Sequence, residues 1–140
     1  MARSFYFDQV SKHFGYLVDE LGFSIVREYR EPQYSYEAVV FQSQDCRIRV
    51  ARERSAVHLD ISPPVPLKED WWYLGTIIAY LTGGTDKSLD FRTPEELDHD
   101  STVEQGLQRF SVAFRKYATQ ICEVFASEDF ERRRAELMKR

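Results

Sequence analysis

The stretch YSYEAVVFQSQDCRIRVARERSAVHLDIS, residues 34–62, decides the fold. Apolar and polar residues alternate through it with period two, and the polar breaks Gln44-Asp45 and Arg54-Ser55 divide it into three segments. Folding the chain back at the first break sets Phe41 opposite Ile48 and Val39 opposite Val50. Folding it back at the second sets Val50 opposite Leu59 and Ile48 opposite Ile61. Both registers choose the same residues for one face, and short connections demand antiparallel neighbours. The other face then carries Tyr36, Ala38, Val40, Gln42, Arg47, Arg49, Ala51, His58 and Asp60, with Arg49 directly across from Asp60. If exposed, that pair contributes only a few tenths of a kcal/mol.

Upstream, Phe23–Arg30 continues the two-residue period, so four strands are expected: Phe23–Arg30, Tyr34–Ser43, Cys46–Glu53 and Ala56–Ser62. Before them Phe7, Val10, Phe14, Leu17 and Leu21 recur at spacings of three and four, a helical stripe over about residues 5–21 that Gly22 can close in the left-handed conformation. Gly15 inside that helix suggests a closely approaching neighbour.

Downstream, Pro63, Pro64 and Pro66 stop the sheet because proline cannot donate to a ladder. A second helix is expected over Lys68–Leu81, with Trp71, Leu74, Ile77, Ile78 and Leu81 on its stripe and Gly83-Gly84 at its end. A short helical turn is expected near residues 93–98, where Thr93-Pro94-Glu95-Glu96 combines a cap, an N1 proline and early acids. The last long helix opens with the capping pair Ser101 and Glu104 and repeats Val103, Leu107, Phe110, Phe114, Tyr117, Ile121 and Val124. Residues 127–140 read as a short extra helix or a solvated tail. The sum is an α+β chain in the order α-β-β-β-β-α-α: an N-terminal helix, a four-stranded antiparallel meander, and two main helices packed on one sheet face. Nothing marks a second domain within residues 1–140.

A chain of 140 residues with 43% hydrophobic and 30% charged residues can bury a core without metal or disulfide staples. Cys46 and Cys122 each fall on an apolar stripe, where free thiols behave as small hydrophobes. The start of the sequence shows no signal-peptide pattern and no run of about 18 uncharged residues occurs, so the cytoplasm is the default address and no membrane partner is expected. Between Asp86 and Glu104 seven acids face two bases, a local charge of −5 that leaves +1 for the rest of a chain whose net charge is −4. No concentrated basic face exists for a phosphate backbone, so nucleic acid is not expected as a partner.

Phosphate-loop, dinucleotide, metalloprotease and nucleophile-elbow signatures are all missing, and no cofactor is implied. Asp98-His99-Asp100 has metal-ligand residue types, but adjacent loop residues seldom converge on one ion, so no metal is assigned. His58 and Asp60 share one side of a strand with Arg49 across from them. A general base held by a carboxylate looks like this, and so does an ordinary polar sheet face. Trp71, Trp72 and Tyr73 are consecutive and cannot all face a core, and Tyr80 lies opposite the Leu74–Leu81 stripe. Trp72, Tyr73 and Tyr80 are therefore candidate interface anchors. Asp86, Asp90, Asp98 and Asp100 have no capping duty and are candidates for attracting a basic protein partner.

The order of elements, with the phrases Leu21-Gly22-Phe23, Val39-Val40-Phe41-Gln42-Ser43 and Trp72-Tyr73-Leu74-Gly75, resembles small bacterial immunity proteins of polymorphic-toxin systems and neighbouring families of unknown function. The resemblance spans about Phe5 to Leu81 and is one of pattern. It implies a compact, cytoplasmic, non-enzymatic protein that binds and blocks one cognate toxin, and it transfers no functional residue. Two other expectations stand beside it: a small enzyme or ligand-binding domain using the cavity between sheet and helices through Arg49, His58 and Asp60, and a structural homodimer.

Overall fold

The computed structural model describes residues 5–54, 56–64, 70–86, 103–126 and 130–139. Helix α1 (Phe5–Asp19) leads into strands β1 (Ser24–Glu31), β2 (Tyr36–Gln42), β3 (Arg47–Glu53), β4 (Ala56–Ser62) and β5 (Trp72–Tyr73), then helices α2 (Leu74–Thr82), α3 (Val103–Ala126) and α4 (Phe130–Leu137). The sheet runs β1-β2-β3-β4-β5 in sequence order, antiparallel throughout. The pairs Phe41–Ile48, Val39–Val50, Val50–Leu59, Ile48–Ile61 and Arg49–Asp60 are those the alternation predicts.

Val39, Phe41, Ile48, Val50, Leu59 and Ile61 form one sheet face and join the same buried cluster as Tyr6, Val10, Phe14 and Leu17 of α1, Leu74, Ile77 and Ile78 of α2, and Leu107, Phe110, Phe114, Ile121 and Val124 of α3. The helices thus cover one face. Tyr6 donates from its hydroxyl to the Val50 carbonyl at 2.8 Å, tying α1 to the central strand. Burial and the neighbouring Glu37 push this phenol's pKa well above its ordinary value.

The sheet has a fifth strand where a helix start is expected, and the physical reason lies in Trp72 and Tyr73. Consecutive aromatic residues favour the pleated surface, and here they alternate, Trp72 beside Ile61 and Tyr73 beside Asp60, on the edge of β4. The helix therefore begins at Leu74 rather than Lys68, with Tyr73 extended at φ −65° and ψ 141°. Trp71 accordingly leaves the α2 stripe for the opposite side of the sheet. Gly83, at φ 63°, ends α2 with its N–H on the Ala79 carbonyl.

The close approach expected at Gly15 is found instead at Gly106. A Cβ there would stand 3.1 Å from Val57, so this glycine lets α3 lie on β4, whereas a Cβ at Gly15 would meet only Asp19 of its own helix, at 4.0 Å. Glu104 opens α3 but spends its carboxylate on α1, accepting from Lys12 Nζ at 2.7 Å and His13 Nε2 at 3.2 Å. The chain end is a short helix, not a solvated tail: Leu137 is buried, Phe130 meets Phe125 with ring centroids 5.1 Å apart, and Arg134 Nε donates to Asp70 at 3.1 Å. The expected turn near residues 93–98 lies outside the described residues. Among the described residues no helix is long and apolar enough to cross a membrane.

Candidate functional site: the sheet face away from the helices

The register places Arg27, Tyr29, Tyr36, Ala38, Val40, Arg47, Arg49, Ala51, His58, Asp60 and Tyr73 on the sheet face opposite the helical core. Small residues form its floor. Ala38, Val40 and Ala51 are buried yet stand apart from the helical cluster, flanked in the ladder by Arg27, Tyr29, Arg49 and His58. A short side chain between long neighbours is removed from water by their stems, and the charged ends stay above it.

Arg49 and Asp60 are the centre of this face. Arg49 donates from Nε at 3.0 Å and from Nη2 at 2.8 Å to Asp60 Oδ2. The Asp60 side chain is only 3% exposed and the Arg49 side chain 25%, so the pair is largely withdrawn from water rather than the weak surface contact the alternation suggested. The position of Asp60 explains this: it pairs with Arg49 on one side and with Tyr73 of the unforeseen fifth strand on the other. His58 Nδ1 stands 3.9 Å from Asp60 Oδ2, beyond hydrogen-bond reach. Burial raises the Tyr36 phenol pKa, with the Arg49 charge opposing and Asp60 reinforcing it, which puts Tyr36 in the same electrostatic group.

Trp71 completes the arrangement. The Arg49 guanidinium lies 4.4 Å and the Arg47 guanidinium 5.4 Å from its ring centroid, a cation–π geometry that orients both arginines. Trp71 Nε1 and Arg47 Nε are buried donors with no acceptor among the described residues. Beside them Tyr73 is 66% exposed. This face therefore offers aromatic surface and fixed cations together.

The other expected site residues are distributed differently. Trp72 turns toward the core and packs against it, with the Arg134 guanidinium 5.9 Å from its ring centroid. Tyr80 donates its hydroxyl to Glu136 of α4 at 2.7 Å. Asp86 does have a structural duty: it accepts from the Tyr117 hydroxyl and lies 3.6 Å from Lys116 Nζ, tying the end of α2 to α3. Asp90, Asp98 and Asp100 lie outside the described residues. Sequence reading missed Trp71 because the helical period was extended back through it. The signal that finds it is the run of prolines followed by consecutive aromatics, which favours extended chain.

A second cross-strand pair, Arg52 Nη2 with Glu37 Oε1 at 2.7 Å, sits on the helical side of the sheet, with the Arg52 guanidinium 5.8 Å from the Tyr6 ring centroid. Cys46 and Cys122 are free thiols. The neighbouring Cys122 thiol and burial raise the pKa of Cys46, whereas the neighbouring Cys46 thiol lowers that of Cys122 against the opposing effect of its burial. Cys122 lines an open cleft of about 310 Å³ together with Leu21, Asp45 and Glu123. Among the described residues no group of three or more His, Cys, Asp or Glu side chains is placed to hold a metal ion. No family model matches the chain, and neither curated proteins nor solved structures give a significant match.

Proposed function

We propose that this chain is a non-catalytic protein-binding module whose partner docks on the sheet face away from the helices, around Trp71 and Tyr73. The observation that carries the reading is the grouping on one surface of exposed Tyr73 with Trp71 and the Arg47 and Arg49 guanidinium groups stacked on it. Aromatic and arginine side chains are the usual anchors of interfaces. The basic partner expected from the acidic stretch has less support, since Asp86 is engaged internally.

Within this class, the resemblance of the Phe5–Leu81 pattern favours an immunity-type inhibitor that blocks one cognate bacterial toxin in the cytoplasm. The test is co-expression with the product of the adjacent reading frame. Protection of the host from that protein, together with a stable complex, is the expected result. Protection that persists unchanged when Trp71 and Tyr73 are both replaced by alanine would refute the docking face. A metabolic neighbour with no complex would refute the class.

The enzymatic alternative rests on Arg49, His58 and Asp60, and their geometry argues against it. Asp60 is already neutralised by two donors from Arg49, and His58 receives no orienting hydrogen bond from it. A general base needs both a free proton-accepting role and a fixed orientation. His58→Ala should leave stability and any assigned activity nearly unchanged.

A further inference from the structure

Among the described residues strand β1 pairs only with β2 and forms one edge of the sheet. Edge strands present unpaired backbone groups, and charges and bulges are the usual devices that keep copies from joining there. β1 has both, but they do more than repel. Its register slips between Ile25 and Arg27, so Val26 is a bulge, and Pro32 follows its last residue. The regular edge is therefore the five residues Arg27-Glu28-Tyr29-Arg30-Glu31, of which all but the half-buried Tyr29 are exposed. Read from either end, this segment is charge-complementary to itself.

We propose that the β1 edge is a homodimer interface, at which two copies pair antiparallel about a two-fold axis passing through Tyr29. Such an axis must stand perpendicular to the sheet, so opposed residues share a face and only registers with an even residue sum are allowed. Centring on Tyr29 sets Arg27 against Glu31 of the second copy and Glu28 against Arg30 of the second copy, each repeated by symmetry. Opposite charges thus meet on both faces of the ribbon. The neighbouring allowed registers fail: centring on Arg27, Glu28, Arg30 or Glu31 brings two like charges together on the axis, a destabilising contact. The bulge at Val26 and the missing N–H of Pro32 end the ladder on both sides, so the pairing cannot slide or lengthen. The product is one continuous ten-stranded sheet with both helical layers on the same side. Arg27, Tyr29 and Glu31 belong to the face that also holds Trp71 and Tyr73, so dimerisation would extend that surface across both copies.

Sedimentation equilibrium of the full chain, from low micromolar to about 1 mM and across a salt series, tests this. The parent should dimerise, with salt weakening the association. Two charge variants sharpen the test, both altering only exposed side chains. Arg27→Glu with Arg30→Glu makes the segment wholly acidic, and Glu28→Arg with Glu31→Arg makes it wholly basic. Each alone should be at least about tenfold weaker in self-association than the parent. An equimolar mixture should restore dimer at the parent's level, because every opposed pair is again acid against base. Parent chains that stay monomeric at every concentration, or variants that self-associate as well as the parent, or a mixture that does not restore dimer, would each overturn the proposal.

Discussion

Replacing Arg49 by methionine keeps most of the aliphatic stem over Val40 and Trp71 but leaves the Asp60 carboxylate without either of its guanidinium donors. Asp60 is 2% exposed, so water cannot readily take the place of those donors. Breaking a buried pair in this way is unfavourable by about 3–5 kcal/mol, and the partial exposure of Arg49 argues for the lower end. Urea unfolding at neutral pH is a suitable assay. With a slope of about 2 kcal/mol per molar urea, a loss of about 3 kcal/mol moves the midpoint down by about 1.5 M. Adding Asp60→Leu to Arg49→Met should then recover most of the loss, since an apolar pair of similar volume is often as stable as the ion pair it replaces. A single Arg49→Met change below about 1 kcal/mol, or a double variant whose losses simply add, would show that the pair behaves as an exposed one.

Ile48→Asp should abolish cooperative folding, because Ile48 is fully buried between Phe41 and Ile61 on the helical face; a soluble variant with a normal thermal transition would reverse the assignment of sheet faces. Native-state alkylation should modify Cys122 far faster than Cys46, since Cys122 lines an open cleft and the neighbouring Cys46 lowers its pKa, while Cys46 is buried with its pKa raised; equal rates measured by mass spectrometry would refute this difference in environment. Glu104 titrates below its ordinary value of 4.5, held down first by Lys12 and then by His13. Its contribution to stability is therefore present above pH 4.5 and lost as pH falls through the lowered folded value. Lys12→Met should raise the Glu104 midpoint in an NMR titration, and an unmoved midpoint would show that the contact does not form.

The meander was readable because one pattern constrained two registers at once: Ile48 and Val50 had to face the same way against both Phe41 and Leu59. The stripe of α3 was readable for a similar reason, since Leu107, Phe110, Phe114, Ile121 and Val124 repeat too regularly to belong to anything but a packed helix. Trp71, Trp72 and Tyr73 were not readable from period alone. A two-residue strand carries too little alternation to compete with the helical stripe that follows it, and its existence depends on the open edge of β4, a tertiary partner. The burial of Asp60 follows from that same strand, which is why the Arg49–Asp60 contact could be placed from sequence while its depth could not. Asp86 illustrates the converse. Its partners Tyr117 and Lys116 lie some thirty residues away on α3, and no local signal announces them.

The most direct test of the proposed docking face is the affinity of the cognate protein for three forms of this chain, measured by calorimetry. Tyr73→Ala removes an exposed aromatic from the proposed face, whereas Val112→Ala removes a comparably exposed apolar side chain from α3. A central aromatic anchor is worth about 2 kcal/mol or more, so Tyr73→Ala should weaken binding by about 30-fold or more while Val112→Ala leaves it within about twofold of the parent. A loss confined to Val112→Ala, with Tyr73→Ala binding as the parent does, would place the partner on the helical side and contradict the account.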